Sequence, residues 1–231
     1  MKRNPATNAF LIAVMASVVL PFIPIIRGIL LPFDYLNTHL HEMFHALAAV
    51  LTGGSVDKIL VFRNSEGLTV TYGGFVPLIF SAGYIGASLF GAFMVRSSIH
   101  ERAARKWCQM LGVMILLVNI AWVRGDVVGW PIGIFWGVFL MVLAAKLQPK
   151  DILLVAQFLG VQQCINGFKS LRDLLLLTGA RAENTDAALL AKETGIPAAG
   201  WALLWTVLGI YGVVMAVIGL NKASSAPKRV N

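Results

Sequence analysis

Long apolar runs divided by short polar interruptions make up most of this chain, and their lengths are those of membrane helices. A helix needs about 20 apolar residues to cross a bilayer. Residues 9–31, 75–95, 107–123, 130–145, 152–178 and 201–220 each supply such a run, which predicts six spans. Pro21 and Pro24 should kink the first. A shorter helix is expected over residues 39–51. Residues 53–74 follow another pattern. Ile59-Leu60-Val61-Phe62 and Leu68-Thr69-Val70-Thr71-Tyr72 are β-prone, and Asn64-Ser65-Glu66-Gly67 between them is a turn signal. They predict a β-hairpin at the membrane interface or against protein, because open strand edges are not tolerated in lipid. The fold class is therefore an all-α polytopic membrane protein, with about six spans, a short additional helix and a small hairpin. Residues 1–221 read as a single membrane-embedded domain and residues 222–231 as a polar tail.

Composition agrees. Hydrophobic residues are 58% of the 231 and charged residues only 13%, against about 25% charged in a soluble domain. Met1-Lys2-Arg3 ahead of an apolar stretch has the form of a signal peptide, but the stretch is too long for one and reads as a retained span. The net charge of +8 comes from basic residues grouped in short loops and tails. That is the pattern of the positive-inside rule, not of a nucleic-acid surface. Cys108 and Cys164 sit in separate apolar runs without a C-x-x-C partner, so both read as packed core thiols. Gly83, Ala87 and Gly91 fall four apart, the spacing at which small residues let membrane helices approach.

The short helix carries the chemistry. His41-Glu42-Met43-Phe44-His45 is an H-E-x-x-H run. Residues four apart share a helix face, so His41 and His45 can grip one Zn²⁺, with Glu42 placed as the general base. Ionisable groups in an apolar setting are costly and point to function. A catalytic zinc takes three protein ligands and keeps a position open for water. Asp173 is the first candidate for the third ligand. Asn166 lies seven residues before it, two helical turns away on the same face, as a hydrogen-bonding neighbour and candidate substrate-binding residue. Asp186 is the alternative, although Asn184-Thr185-Asp186 ahead of Ala187 has the form of a helix N-cap, which would account for it without metal. His39 faces away from the histidine pair, and His100 lies in a basic loop. Asp34 and Asp126 are loop residues with weaker claims.

The chain resembles the site-2 protease family of membrane-embedded zinc metallopeptidases, in its compact "B-like" branch. The resemblance rests on His41-Glu42-Met43-Phe44-His45-Ala46-Leu47, Thr52-Gly53-Gly54, Gly73-Gly74, Ser81-Ala82-Gly83-Tyr84-Ile85-Gly86, Ser170-Leu171-Arg172-Asp173-Leu174, Thr185-Asp186-Ala187, and Ile196-Pro197 with Trp201 and Trp205. It implies one zinc ion per chain held by His41 and His45, with Glu42 as general base. It also implies hydrolysis of peptide bonds in membrane-associated protein or peptide substrates. The family takes its third ligand from Asn-x-x-Pro-x-x-x-x-Asp-Gly. Here Asn166 to Asp173 is one residue shorter, lacks the proline, and is followed by Leu174.

Placing Lys2-Arg3 and residues 96–106, 146–150 and 222–229 in the cytoplasm requires an even number of crossings. Six spans meet this if the 39–51 helix is re-entrant. A multi-pass protein of the cell membrane is the expectation. A catalytically inactive membrane protein of the same fold, acting in partner binding or assembly, is the alternative. A transporter is disfavoured, because no repeated half is visible and Asn119 is the main polar residue in the other spans.

Overall fold

A computed structural model describes residues 5–176 and 183–225; the side chains of Asn166 and Asp173 lie outside the described residues. The protein is an all-α polytopic membrane protein with one small β-hairpin. Its helices are α1 (Pro5–Val19), α2 (Pro24–Leu51), α3 (Val76–Ser81), α4 (Ala87–Ser97), α5 (Glu101–Trp122), α6 (Gly129–Lys146), α7 (Pro149–Leu176), α8 (Asp186–Thr194) and α9 (Ala198–Ser225). The hairpin pairs β1 (Ser55–Val61) with β2 (Gly67–Tyr72). Among the described residues, five segments are long and apolar enough to cross a membrane. They are Pro5–Phe22, Val76–Ser97, Glu101–Trp122, Gly129–Lys146 and Ala198–Lys222. The helix α7 is as long, but Gln157, Gln162 and Gln163 dilute its apolar character.

Two expectations change. The first predicted span does not run unbroken from residue 9 to 31. It ends as a 3₁₀ turn at Leu20–Phe22, and Ile23 is extended before Pro24. Pro21 and Pro24 cannot donate backbone hydrogen bonds, so the helix breaks there where only a kink was expected. The histidine helix is correspondingly long, not short. It starts at Pro24 and runs 28 residues, about 42 Å at 1.5 Å per residue. From Tyr35 to Ala49 it is enclosed by other elements, with Leu36, Leu40, Met43 and Ala46 almost fully buried. Its environment is protein, and that is how a helix can carry His39, Glu42 and His45 buried among apolar side chains.

Around this axis, α7 packs against α1, α4, α5 and α9, and α5 pairs with α6. The small residues act as expected where α4 meets α7. A Cβ at Gly91 would strike the Gly160 carbonyl and Cys164 N. Gln157 ties the same helices, donating to the carbonyls of Val95 and Ser98 at 3.1 and 3.0 Å. Cys108 and Cys164 are buried and unpaired thiols.

The hairpin lies along α2. Tyr35 Oη donates to the Arg63 carbonyl and Thr38 Oγ1 to the Ser65 carbonyl, each at 2.6 Å. The outer edge of β1 is closed. The Arg124 amide donates to the Ile59 carbonyl at 3.3 Å, and the Val61 amide donates to Asp126 Oδ2 at 3.2 Å. Ile59 and Val61 therefore point their backbone groups away from β2. Their partners Thr69 and Gly67 must do the same on the opposite edge, because residues facing each other in an antiparallel ladder share that orientation. Period-two alternation adds Thr71. Among the described residues nothing pairs with that β2 edge.

Candidate active site

The spacing of His41 and His45 puts both rings on one face of α2, edge to face with centroids 4.6 Å apart. His45 is fixed from behind. Its Nδ1 donates to the Ile79 carbonyl of α3 at 2.6 Å, so in the neutral ring Nε2 carries the lone pair. His41 packs edge-on against Tyr84, and Tyr84 stacks on Trp205 of α9. Trp205 in turn donates from Nε1 to Ser81 Oγ at 3.0 Å. Gly83 sits in a single π-helical turn, Ala82–Gly86, between α3 and α4. Such turns are rare and recur at functional sites. A Cβ at Gly83 would fall on both imidazoles. Gly83 is thus not the helix-packing residue its spacing suggested; it leaves room for the rings.

The third group comes from far along the chain. Asp186 Oδ2 lies 3.1 Å from His41 Nε2 and 3.3 Å from His45 Nε2, and the two nitrogens are 3.0 Å apart. The N-cap of α8 is Thr185, whose Oγ1 accepts from the Ala188 amide at 3.3 Å. Asp186 is therefore released from the capping role that would have explained it without metal. Leu190 and Ala187 of α8 are buried in one cluster with Tyr84 and Trp205, which holds the short helix over the histidines. Burial alone would raise the Asp186 carboxyl, but the His45 and His41 rings beside it outweigh burial and hold it well below the ordinary carboxylate range.

These three atoms could hold a metal ion. Zinc takes nitrogen and oxygen donors at about 2.0–2.2 Å in tetrahedral geometry, which sets neighbouring donors about 3.3 Å apart. The observed triangle of 3.0, 3.1 and 3.3 Å is close to one face of that tetrahedron. Two imidazoles and a carboxylate are also a zinc-type donor set. The predicted general base, Glu42, is buried next to His41, with its carboxylate bound by Thr69 Oγ1 at 2.7 Å.

A family model described as Peptidase M50B-like matches residues 9–216. The chain belongs to the Peptidase M50B-like family. The resemblance to the B-like branch of the site-2 proteases is thereby borne out, and the family is one of membrane metallopeptidases of that type. No curated protein and no solved structure matches the chain.

The other candidates of this M50B-like chain fall elsewhere. Asn166 and Asp173 belong to α7, but their side chains lie outside the described residues. His39 points away from the pair, its ring nitrogens 2.9 Å from the Tyr35 carbonyl and 3.0 Å from the Gly129 carbonyl. His100 is exposed just ahead of α5. Asp126 lies in the turn ahead of α6, accepting from the amides of Val128 and Gly129. Sequence reasoning missed Thr69 and the role of Gly83. Their signals, a threonine in a β-prone run and a glycine beside Tyr84, are too ordinary to stand out.

Proposed function

We propose that the chain is a zinc-dependent endopeptidase of the membrane, with His41, His45 and Asp186 as metal ligands and Glu42 as general base. The observation that carries this reading is the convergence of two imidazole nitrogens and one carboxylate oxygen within 3.3 Å, beside a buried glutamate. Asp186 is preferred to Asp173 because its oxygen faces both histidines. Zinc bound there would bring the pKa of a coordinated water toward about 7 and polarise a scissile carbonyl. Glu42 accepts the proton of the attacking water and passes it to the leaving amine. His45 is held in the tautomer that offers Nε2 to the metal, and Gly83 clears the space in which the rings meet.

The substrate is a membrane-associated protein or peptide. A helical substrate must unwind before hydrolysis, because its carbonyls are bonded within the helix. The free edge of β2, with Gly67, Thr69 and Thr71 turned outward, supports capture of the unwound segment as an added strand. The cell membrane is the proposed location.

The test is cleavage of membrane-helix peptides by protein reconstituted in lipid, with products identified by mass spectrometry. The expected result is one set of new termini, lost on chelation, restored by zinc and absent in Glu42→Gln. Cleavage that survives both chelation and Glu42→Gln would sink the proposal.

A further inference from the structure

The histidine face of α2 is only one of two working faces. Tyr35, Thr38 and Glu42 lie three and four residues apart and form an adjacent stripe. Every member of that stripe bonds the hairpin. Tyr35 and Thr38 fasten its turn end through the carbonyls of Arg63 and Ser65. Glu42 meets β2 itself. Thr69 Oγ1 lies 2.7 Å from Glu42 Oε2 and 3.1 Å from the Glu42 carbonyl. The hydroxyl has one proton to give, and an ionised carboxylate is the stronger acceptor. Gly67, two residues earlier on the same face of β2, has no side chain to oppose it. A Cβ there would overlap Glu42 Oε1, Cγ and Cδ. Among the described residues, the Thr69 hydroxyl is the one hydrogen-bond donor to this buried carboxylate.

We infer that Thr69 is the positioning residue of the general base, fixing the Glu42 carboxylate from β2 through its hydroxyl while Gly67 provides the space. The inference rests on the peptidase reading for what Glu42 does, and on the hairpin geometry for how it is held. A glutamate has three side-chain torsions, and a base displaced by about 1 Å can cost 100-fold in rate. The bond leaves one carboxylate oxygen committed to Thr69 and the other free. The same strand presents the outward edge proposed to take substrate, so one short element would set base and substrate in a common frame.

The experiment compares wild type with Thr69→Val, which keeps the shape and removes the hydroxyl, and with Thr69→Ser, which returns it. Two readouts are taken on full-length protein in lipid. The first is the infrared carboxylate band of Glu42, isolated as the difference between each protein and its Glu42→Gln counterpart. Thr69→Val should shift that band, and Thr69→Ser should leave it in place. The second is turnover on a cleaved peptide at saturating zinc. Thr69→Val should lower kcat about 10- to 100-fold with KM changed less than about twofold, and Thr69→Ser should recover most of the loss. A band that does not move in Thr69→Val overturns the inference whatever the turnover. A band that moves while kcat is unchanged, or while kcat and KM fail together without rescue by serine, also overturns it and leaves the bond merely structural. A band that moves in a protein that hydrolyses nothing removes the peptidase reading, and the positioning role with it.

Discussion

The two ends of this bundle treat charge in opposite ways. At the basic end, Arg105 donates to the carbonyls of Ala144 and Leu147 where α6 closes, at 2.5 and 2.6 Å, and pairs with Glu101 at 2.7 Å. Donors meet acceptors, and the account closes within the protein. At the histidine end, groups that could all ligate one metal ion meet one another. His41 Nε2, His45 Nε2 and the Asp186 carboxylate face one another across little more than 3 Å. Along the π turn and α4, Gly83 at one end and Arg96 at the other are 13 positions apart, about 20 Å of helix. The positive-inside rule accounts for the basic end by topology alone. It has no explanation for the other end, where three atoms that could hold a metal ion converge. Polar groups in a membrane protein therefore say most when several ligand-type groups converge on one point, and least when each is paired with a backbone carbonyl or a single opposite charge.

Several substitutions would break this contrast or sharpen it. Glu42→Gln should cost about 10²- to 10⁴-fold in turnover while zinc is kept, since it removes the base and not a ligand. Steady-state cleavage alongside metal analysis checks this. Gly83→Ala should be next, because its methyl would occupy the space of both imidazoles. Zinc affinity should weaken about 10- to 100-fold by competition with a chromophoric chelator, the range seen when groups around metal ligands are disturbed. Thr71→Pro removes one outward amide of β2 and should lower kcat/KM about tenfold, one hydrogen bond's worth, with zinc unaffected. Unchanged turnover would remove strand addition from the mechanism. Arg105→Ala is the control at the satisfied end. It should lower stability by about 1 kcal/mol in thermal denaturation and leave zinc content and cleavage as they are. A loss of zinc there would erase the distinction between the ends.

Much of this was legible in the sequence, for reasons that are local. H-E-x-x-H works through helical periodicity, so His41 and His45 meet in any helix that contains them. The hairpin announced itself through β-branched residues around a polar turn, in which Asn64 Oδ1 accepts from the Glu66 amide at 3.2 Å. The long reach of α2 was hidden because apolar sequence on both sides of Pro24 reads as one span. Only the extended Ile23 shows where the helix restarts. The third donor was hidden for a different reason. Asp186 stands 145 residues from His41, and its position ahead of Ala187 allowed a complete local explanation as a cap. The structure gives that role to Thr185, one residue earlier, and a shift of one position turns Asp186 toward the histidines. Thr69 illustrates the same limit, since pairing a strand residue with Glu42 is tertiary information.

Zinc content of detergent-purified protein is the most direct test, measured on wild type, Glu42→Gln, His45→Ala, Asp186→Ala and Asp173→Ala. One zinc per chain in wild type, kept in Glu42→Gln and Asp173→Ala and lost in His45→Ala and Asp186→Ala, is the predicted result. Zinc retained by folded Asp186→Ala, or absent from folded wild type after resupply, would contradict the proposed centre.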